Sequence, residues 1–224
     1  MTRKRSSRSA RPGARRAASR QSGKLRVIGG EFRRRQLPVA DRPGLRPTPD
    51  RVRETLFNWL GQTLDGKRVL DSFAGTGALG IEALSRGAAQ VTFIEQDSLA
   101  ADQLRRNLAA LGASRAHVIC QDARAFLSAP ACVDQPSFGQ PPFDLVLLDP
   151  PFYQGLVDAC AEALEAGGWL APDALIYVEA ESTHTPTLPA CWQPYRQTQA
   201  GDTTARLYCR IARQATLAAA PPGR

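Results

Sequence analysis

The chain is poor in side chains that hold metals. It has two histidines, His117 and His184, and five cysteines, at 120, 132, 160, 191 and 209. No two cysteines form a Cys-x-x-Cys pair, so a zinc site or a redox dithiol has little support, and no metal is expected. The odd number argues against a disulfide framework. A 224-residue chain needs none, because it can bury about 70% of its unfolded surface. Reduced thiols in a cytosol are therefore expected. Long apolar runs are missing too. None approaches the ~20 residues that cross a membrane, so no membrane partner is expected. No segment repeats.

Acidic residues are missing from the front of the chain. The first 26 residues carry ten Lys/Arg and no Asp/Glu. The net charge of +8 conceals this division. Residues 1–53 hold 17 basic and 3 acidic residues, and the remainder holds 12 and 18. Such asymmetry points to a polyanion partner, although a solvated tail that aids solubility has the same composition. Residues 1–24 have almost no large apolar side chain and cannot pack alone. Pro12 and Gly13 break the amphipathic helix that an organelle transit peptide would need.

What is present is chemistry at strand ends. The apolar run Phe143–Leu148 reads as a buried strand and leads directly into Asp149-Pro150-Pro151-Phe152. The two prolines stop the strand and lack donors. They leave a rigid turn with carbonyls, one carboxylate and an aromatic ring. Such a turn offers acceptors to an exocyclic amino group and a flat face to a nucleobase.

A second strand, Val69-Leu70-Asp71, runs into Ser72-Phe73-Ala74-Gly75-Thr76-Gly77-Ala78-Leu79-Gly80. The glycines fit G-x-G-x-x-G, so a nicotinamide-dependent oxidoreductase enters as one rival reading. Asp71 argues against it, because an acid before the glycines repels a pyrophosphate and attracts an ammonium group. The next strand, Val91–Glu95, ends in an acid suited to ribose hydroxyls. After a third strand, His117–Cys120, Asp122 can accept from an adenine amino group. The ordered set describes a pocket for S-adenosylmethionine.

On these residues the chain resembles class I S-adenosylmethionine-dependent methyltransferases of the amino-methylating branch. More narrowly, it resembles the RsmD family of bacterial 16S rRNA guanine-N2 methyltransferases. The likeness includes Arg26–Arg33, Leu45–Leu60 and Ala174–Glu179, and it covers roughly residues 25–212. The Arg46-Pro47-Thr48-x-Asp50-x-Val52-Arg53-Glu54-x-Leu56-Phe57-Asn58 stretch is its most specific part. The loop Asp134–Pro142 is longer than the family pattern needs.

The resemblance implies methyl transfer to the N2 of a guanine, guanine 966 in the usual bacterial numbering, in 16S rRNA of the small ribosomal subunit. It implies that Asp71 and the loop residues Phe73, Ala74, Gly75 and Gly77 hold the methionine part. Glu95 with Gln96 takes the ribose, and Asp122 with Ala123 the adenine. Thr48 closes over the cofactor. Asp149, Pro150, Pro151 and Phe152 form the catalytic turn, with Asp149 also touching the cofactor. RNA contacts are expected from Arg26, Arg33, Arg34, Arg35, Arg46, Arg51 and Arg53. A cytoplasmic bacterial monomer is the expected setting. An adenine-N6 or cytosine-N4 DNA methyltransferase shares the local chemistry, but no second segment resembles a domain for reading duplex DNA. A non-catalytic ribosome-assembly protein would leave the cofactor residues unexplained.

The expected fold is a doubly wound, mostly parallel α/β sheet of the class I methyltransferase type. Strands are expected near 67–71, 91–95, 117–120, 143–148 and 174–179, and helices near 78–86, 98–111 and 155–166. A C-terminal antiparallel hairpin spans 192–199 and 204–211. At the front, residues 25–39 suggest a hairpin turning at Gly29-Gly30. Thr48 is expected to cap a helix that starts at Pro49, with Val52, Leu56, Trp59 and Leu60 on the main sheet and Arg51 and Arg53 facing solvent or phosphate. The division expected is a basic tail at 1–24, an RNA-binding and cofactor-covering unit at 25–65, a methyltransferase domain at 66–212 and a loose tail at 213–224.

Overall fold

The computed structural model describes residues 23–43, 45, 47–129 and 142–211. The basic residues 1–22, Arg46, the tail beyond 211 and the loop before Pro142 lie outside them. A short antiparallel pair, β1 (Lys24–Arg26) and β2 (Gln36–Pro38), precedes helix α1 (Asp50–Leu60). The main body follows as β3 (Arg68–Asp71), α2 (Ala78–Ser85), β4 (Gln90–Glu95), α3 (Ser98–Leu111), β5 (Ala116–Cys120), α4 (Ala123–Ser128), β6 (Phe143–Leu148), α5 (Leu156–Ala166) and β7 (Leu170–Glu181). It closes with the hairpin β8 (Trp192–Ala200) and β9 (Thr203–Arg210).

The seven-stranded sheet runs in the order β5-β4-β3-β6-β7-β9-β8. Strands β3 to β7 pair in parallel, and β9 pairs antiparallel with both β7 and β8. The strands read as continuous apolar runs because both faces are covered. Val69, Leu145 and Leu147 face one side with Ile81, Leu84, Leu104, Leu56 and Phe57. Their neighbours Leu70, Val146 and Leu148 face the other with Leu127, Val157, Leu164 and Trp169. The expected fold class, parallel sheet and terminal hairpin are all present. Helix α4 has no counterpart in the sequence reading, being six residues long and lacking a full amphipathic period. Among the described residues, no helix is long and apolar enough to cross a membrane.

The front of the chain departs from expectation in three ways. The pair β1–β2 forms, but each strand is only three residues long, and Gly29-Gly30 is no tight turn between them. These glycines are where the connection docks on the end of α2. Gly30 has φ 71°, and a Cβ there would sit 1.8 Å from the Ser85 carbonyl oxygen. The Glu31 amide donates to that same oxygen at 2.7 Å. Helix α1 starts at Asp50 with Pro49 as its cap residue, and Thr48 makes no cap hydrogen bond.

The third departure concerns Arg53, which was expected to face solvent or phosphate. It is 1% exposed. Its guanidinium donates to Asp50 at 2.6 Å, to the Arg26 carbonyl at 2.8 Å and to Glu82 at 3.4 Å. Glu82, fully buried in α2, also accepts from the Ile28 and Gly29 amides and from Arg86. A helical stripe that ends in a long side chain can bury its cation when a buried acid waits for it, and periodicity alone does not report that acid. Arg51, on the opposite face, is exposed.

Removing one partner from a buried charge network leaves the other uncompensated. Arg53→Ala is therefore expected to cost about 3–5 kcal/mol. Arg51→Ala should stay within about 0.5 kcal/mol of the parent. Urea denaturation of both variants checks this, and equal losses would contradict the buried network.

Candidate active site

The sheet reverses its winding between β3 and β6. In open α/β sheets the crevice outside the carboxyl ends at such a point receives ligands. A cavity of about 910 Å³ opens there. Asp71, the last residue of β3, is 2% exposed at its floor. One of its oxygens, Oδ2, accepts from the Gly80 amide at 3.0 Å. Gly80 must lack a side chain, because a Cβ would lie 2.2 Å from the Phe93 ring and 2.9 Å from Asp71 Oδ2.

Glu95 ends β4 and ties two loops together. Its carboxylate accepts from the Gly75 amide and from the Asp97 amide, both at 2.7 Å. Gly75, at φ 53°, keeps the loop backbone close to Leu45, whose Cδ1 would lie 3.2 Å from an added Cβ. Phe73, Ala74, Gln96 and Ala123 also line the cavity. Gly77 does not. It has φ 77°, and a Cβ there would meet Leu104 at 2.4 Å, so its smallness serves the packing of α2 on α3. Asp122 does not line the cavity either. It caps α4, accepting from the Ala125 amide at 3.0 Å, while Gln121 and Ala123 on either side of it face inward.

The turn after β6 brings Asp149, Pro150, Pro151 and Phe152 to the same cavity. A strap containing Arg42, Leu45, Pro47 and Thr48 passes over it, with Thr48 beside Asp149, whose charged form it favours. Arg42 fastens the strap to Asp97 at 2.5 Å. Thr48 lies where the family resemblance implies, whereas Glu179, which is buried near the carboxyl end of β7 and lines the cavity too, is not among the expected site residues. Its signal was there, an acid closing the apolar run Ala174–Val178. Tyr177 donates its hydroxyl to Glu179 at 2.7 Å.

These acids crowd each other. Burial, and secondarily the charge of Glu95, pushes Asp71 up to about 7, against the Gly80 hydrogen bond. Burial and the charges of Glu179 and Asp71 push Asp149 well above the usual carboxylate range. Burial also raises Glu179. Arg42 is the one basic residue among the described residues that line the cavity, and it is already paired with Asp97. The arrangement suits a ligand that brings its own positive charge. Among the described residues no cluster could hold a metal ion.

The expected RNA-contacting arginines do not converge here. Arg33, Arg34 and Arg35 are exposed on the β1–β2 connection, with Arg35 donating to the Ala110 carbonyl at 3.0 Å. Arg26 is exposed and pairs with Asp50 at 2.6 Å. Arg46 lies outside the described residues, and Arg53 is interior.

This sheet order, with acids at the ends of β3, β4 and β6 around one crevice, is the class I methyltransferase fold. The family model described as Conserved hypothetical protein 95 matches residues 25–209. Ribosomal RNA small subunit methyltransferase D of Escherichia coli K12 is 50% identical over 192 residues, which is 85% of this chain and 92% of that protein. Its Haemophilus influenzae namesake is 45% identical over 188 residues, covering 83% and 94%. The solved structure of the methyltransferase yhhF from Escherichia coli superposes with a TM-score of 0.76 at 49% identity, covering 85% of this chain and 100% of that one. The chain belongs to the RsmD family.

The raised pKa of Asp71 has a consequence for stability. An unfolded aspartate loses its proton near 3.8, whereas the folded protein keeps it on Asp71 to about 7. Between these values the folded state binds more protons, so this group's contribution to stability falls as pH rises from about 4 to 7. Asn at 71 keeps the acceptor for Gly80 and cannot ionise. Relative to the parent, ligand-free Asp71→Asn should gain roughly 2–4 kcal/mol between pH 4 and pH 7.5. Denaturant unfolding across that range checks it, and a constant difference would contradict a protonated Asp71.

Proposed function

We propose that this protein transfers a methyl group from S-adenosylmethionine to the exocyclic N2 of a guanine in 16S rRNA of the small ribosomal subunit, at guanine 966. The observation that carries this reading is that the Asp149–Phe152 turn opens into the same cavity as Asp71 and Glu95. The names of its relatives support the rRNA substrate, since they are small subunit methyltransferases. An oxidoreductase would leave that turn without a purpose. A passive assembly protein would gain nothing from three carboxyls gathered around a cavity.

The residues present fit the cofactor. The buried acids Asp71 and Glu179 and the half-buried Asp149 meet no free cation among the described residues lining the cavity, and Gly75 leaves room beside the strap. In this reading Asp71 faces the ammonium group, Glu95 and Gln96 the ribose, and Ala123 with Gln121 the base. Asp122 acts on the adenine side by capping α4 rather than by direct contact. Bound there, S-adenosylmethionine supplies a methyl group activated by its sulfonium.

The chain's own residues must then make a poor nucleophile attack. The lone pair of a guanine amino group is delocalised into the ring. Asp149 and the Pro150 carbonyl accept its two hydrogens and favour a pyramidal nitrogen. Pro151 stiffens the turn, because a proline ring fixes φ. Phe152 stacks on the base, which must leave its stack at a cost of a few kcal/mol. Thr48 holds the Asp149 carboxyl in place. This is catalysis by positioning and electrostatics. Phosphate contacts come from the exposed arginines 26, 33, 34, 35 and 51 and from the basic segment before residue 25, and such contacts position the enzyme without specifying the base. Residues 25–65 thus form an RNA-facing, cofactor-covering front to the methyltransferase domain.

Tritiated methyl transfer onto small subunits lacking the modification, followed by nucleoside mapping, tests the reading. Label is expected in N2-methylguanosine. Label in any other nucleoside, or none in the subunits, would overturn it. In the same assay Asp149→Ala should lower turnover by about 10²–10³-fold. Glu95→Ala should act mainly on cofactor affinity, read by calorimetry. Near-normal turnover of Asp149→Ala would leave that residue a structural part of the turn.

A further inference from the structure

The catalytic turn has a second side. Beyond Phe152 lies a smaller cavity of about 340 Å³, which shares Glu179 with the first. Phe152, Pro151, Glu181, Thr183 and His184 line it. Tyr153 stands at its rim, 78% exposed. It is one of two described non-glycine residues with positive φ, at 62°. A bulky residue in that region is uncommon and persists only where its surroundings hold it. What holds it is Glu181, at the end of β7, whose carboxylate accepts the Tyr153 amide hydrogen. That carboxylate sits below its usual range, chiefly because of this hydrogen bond. The Phe152 and Tyr153 rings stand edge to face, 6.3 Å apart at 88°. Phe152 lines both cavities, whereas Tyr153 belongs to the second alone.

Two rings at right angles on consecutive residues cannot stack on one base. An exposed tyrosine held in a strained conformation gains nothing from packing, since most of its surface meets water. We propose that Tyr153 is the stacking face for the nucleotide next to the methylated guanine, and that Glu181 is a positioning residue that fixes Tyr153 for it. This rests on the reading of the protein as an RNA methyltransferase. Single-stranded RNA segments are held by aromatic faces because every base has a π surface. With the target base against Phe152, its neighbour along the strand meets the perpendicular ring over the second cavity.

The test is steady-state methylation and filter binding of unmodified small subunits by the full chain and its variants. Tyr153→Ala should raise KM for subunits, and weaken subunit binding, by about 5- to 150-fold. Turnover at saturating subunit and cofactor affinity should be retained. Tyr153→Trp should restore the low KM. Glu181→Ala should reproduce the Tyr153→Ala effect while melting at the parent temperature, and Glu181→Gln, which keeps an acceptor for the Tyr153 amide, should rescue it. An active parent with an unchanged KM in Tyr153→Ala would overturn this inference alone. A parent that methylates no RNA would overturn the functional reading, and subunit binding would still decide on Tyr153. Loss in Glu181→Ala without loss in Tyr153→Ala would make Glu181 merely structural.

Discussion

Asp71, Asp149 and Glu179 lie at the carboxyl ends of three adjacent parallel strands, and their carboxyls share one cavity with no free counter-charge among the described residues that line it. Taking a carboxylate out of water is costly unless it is paired, and an unpaired one keeps its proton instead. Burial raises all three above the usual carboxylate range, Asp71 to about 7. A cationic ligand reverses the balance. It lets the acids ionise, and their attraction for it becomes binding energy in a place of low dielectric. The cluster is thus a cost in the empty protein and a source of affinity in the loaded one.

The rest of the fold keeps that cluster in place. Strand pairing sets Asp71 opposite Leu147, two residues before Asp149. Gly80 brings α2 against the end of β3 and holds one Asp71 oxygen. Glu95 fixes both loops that flank the cavity. On the far side of α2, Glu82 and Arg53 clamp the front of the chain down through backbone amides and carbonyls. That clamp anchors the strap whose Thr48 reaches Asp149. One helix therefore carries two buried acid contacts, one for the site and one for its cover.

Much of this was legible in the sequence because parallel strands buried on both faces leave unbroken apolar runs, and the residue ending each run faces the crevice. Asp71, Glu95 and Asp149 stood out in that way. Glu179 obeys the same pattern but has neither a glycine loop nor a proline turn after it. Asp122 follows a strand too, yet the helix that begins there captures its side chain. A short helix capped by an acid is invisible to a search for amphipathic periods. Arg53 was misread because a basic residue on a buried stripe looks like a surface residue until its partner is known, and Glu82 is 29 residues away in sequence. The glycine pair at 29 and 30 has the composition of a turn. Its use as a close contact with Ser85 depends on tertiary packing, which local sequence does not carry.

The central claim is that burial raises the pKa values of the acid cluster when it is empty and that a cationic cofactor lowers them. Calorimetric titration with S-adenosylmethionine near pH 6.5, in buffers of different ionisation enthalpy, measures proton exchange directly. The account predicts a net release of protons on binding, reduced in Asp71→Asn, because the cofactor's charge lowers the pKa of the groups that burial had raised. Binding with no proton release, or with uptake, would contradict it.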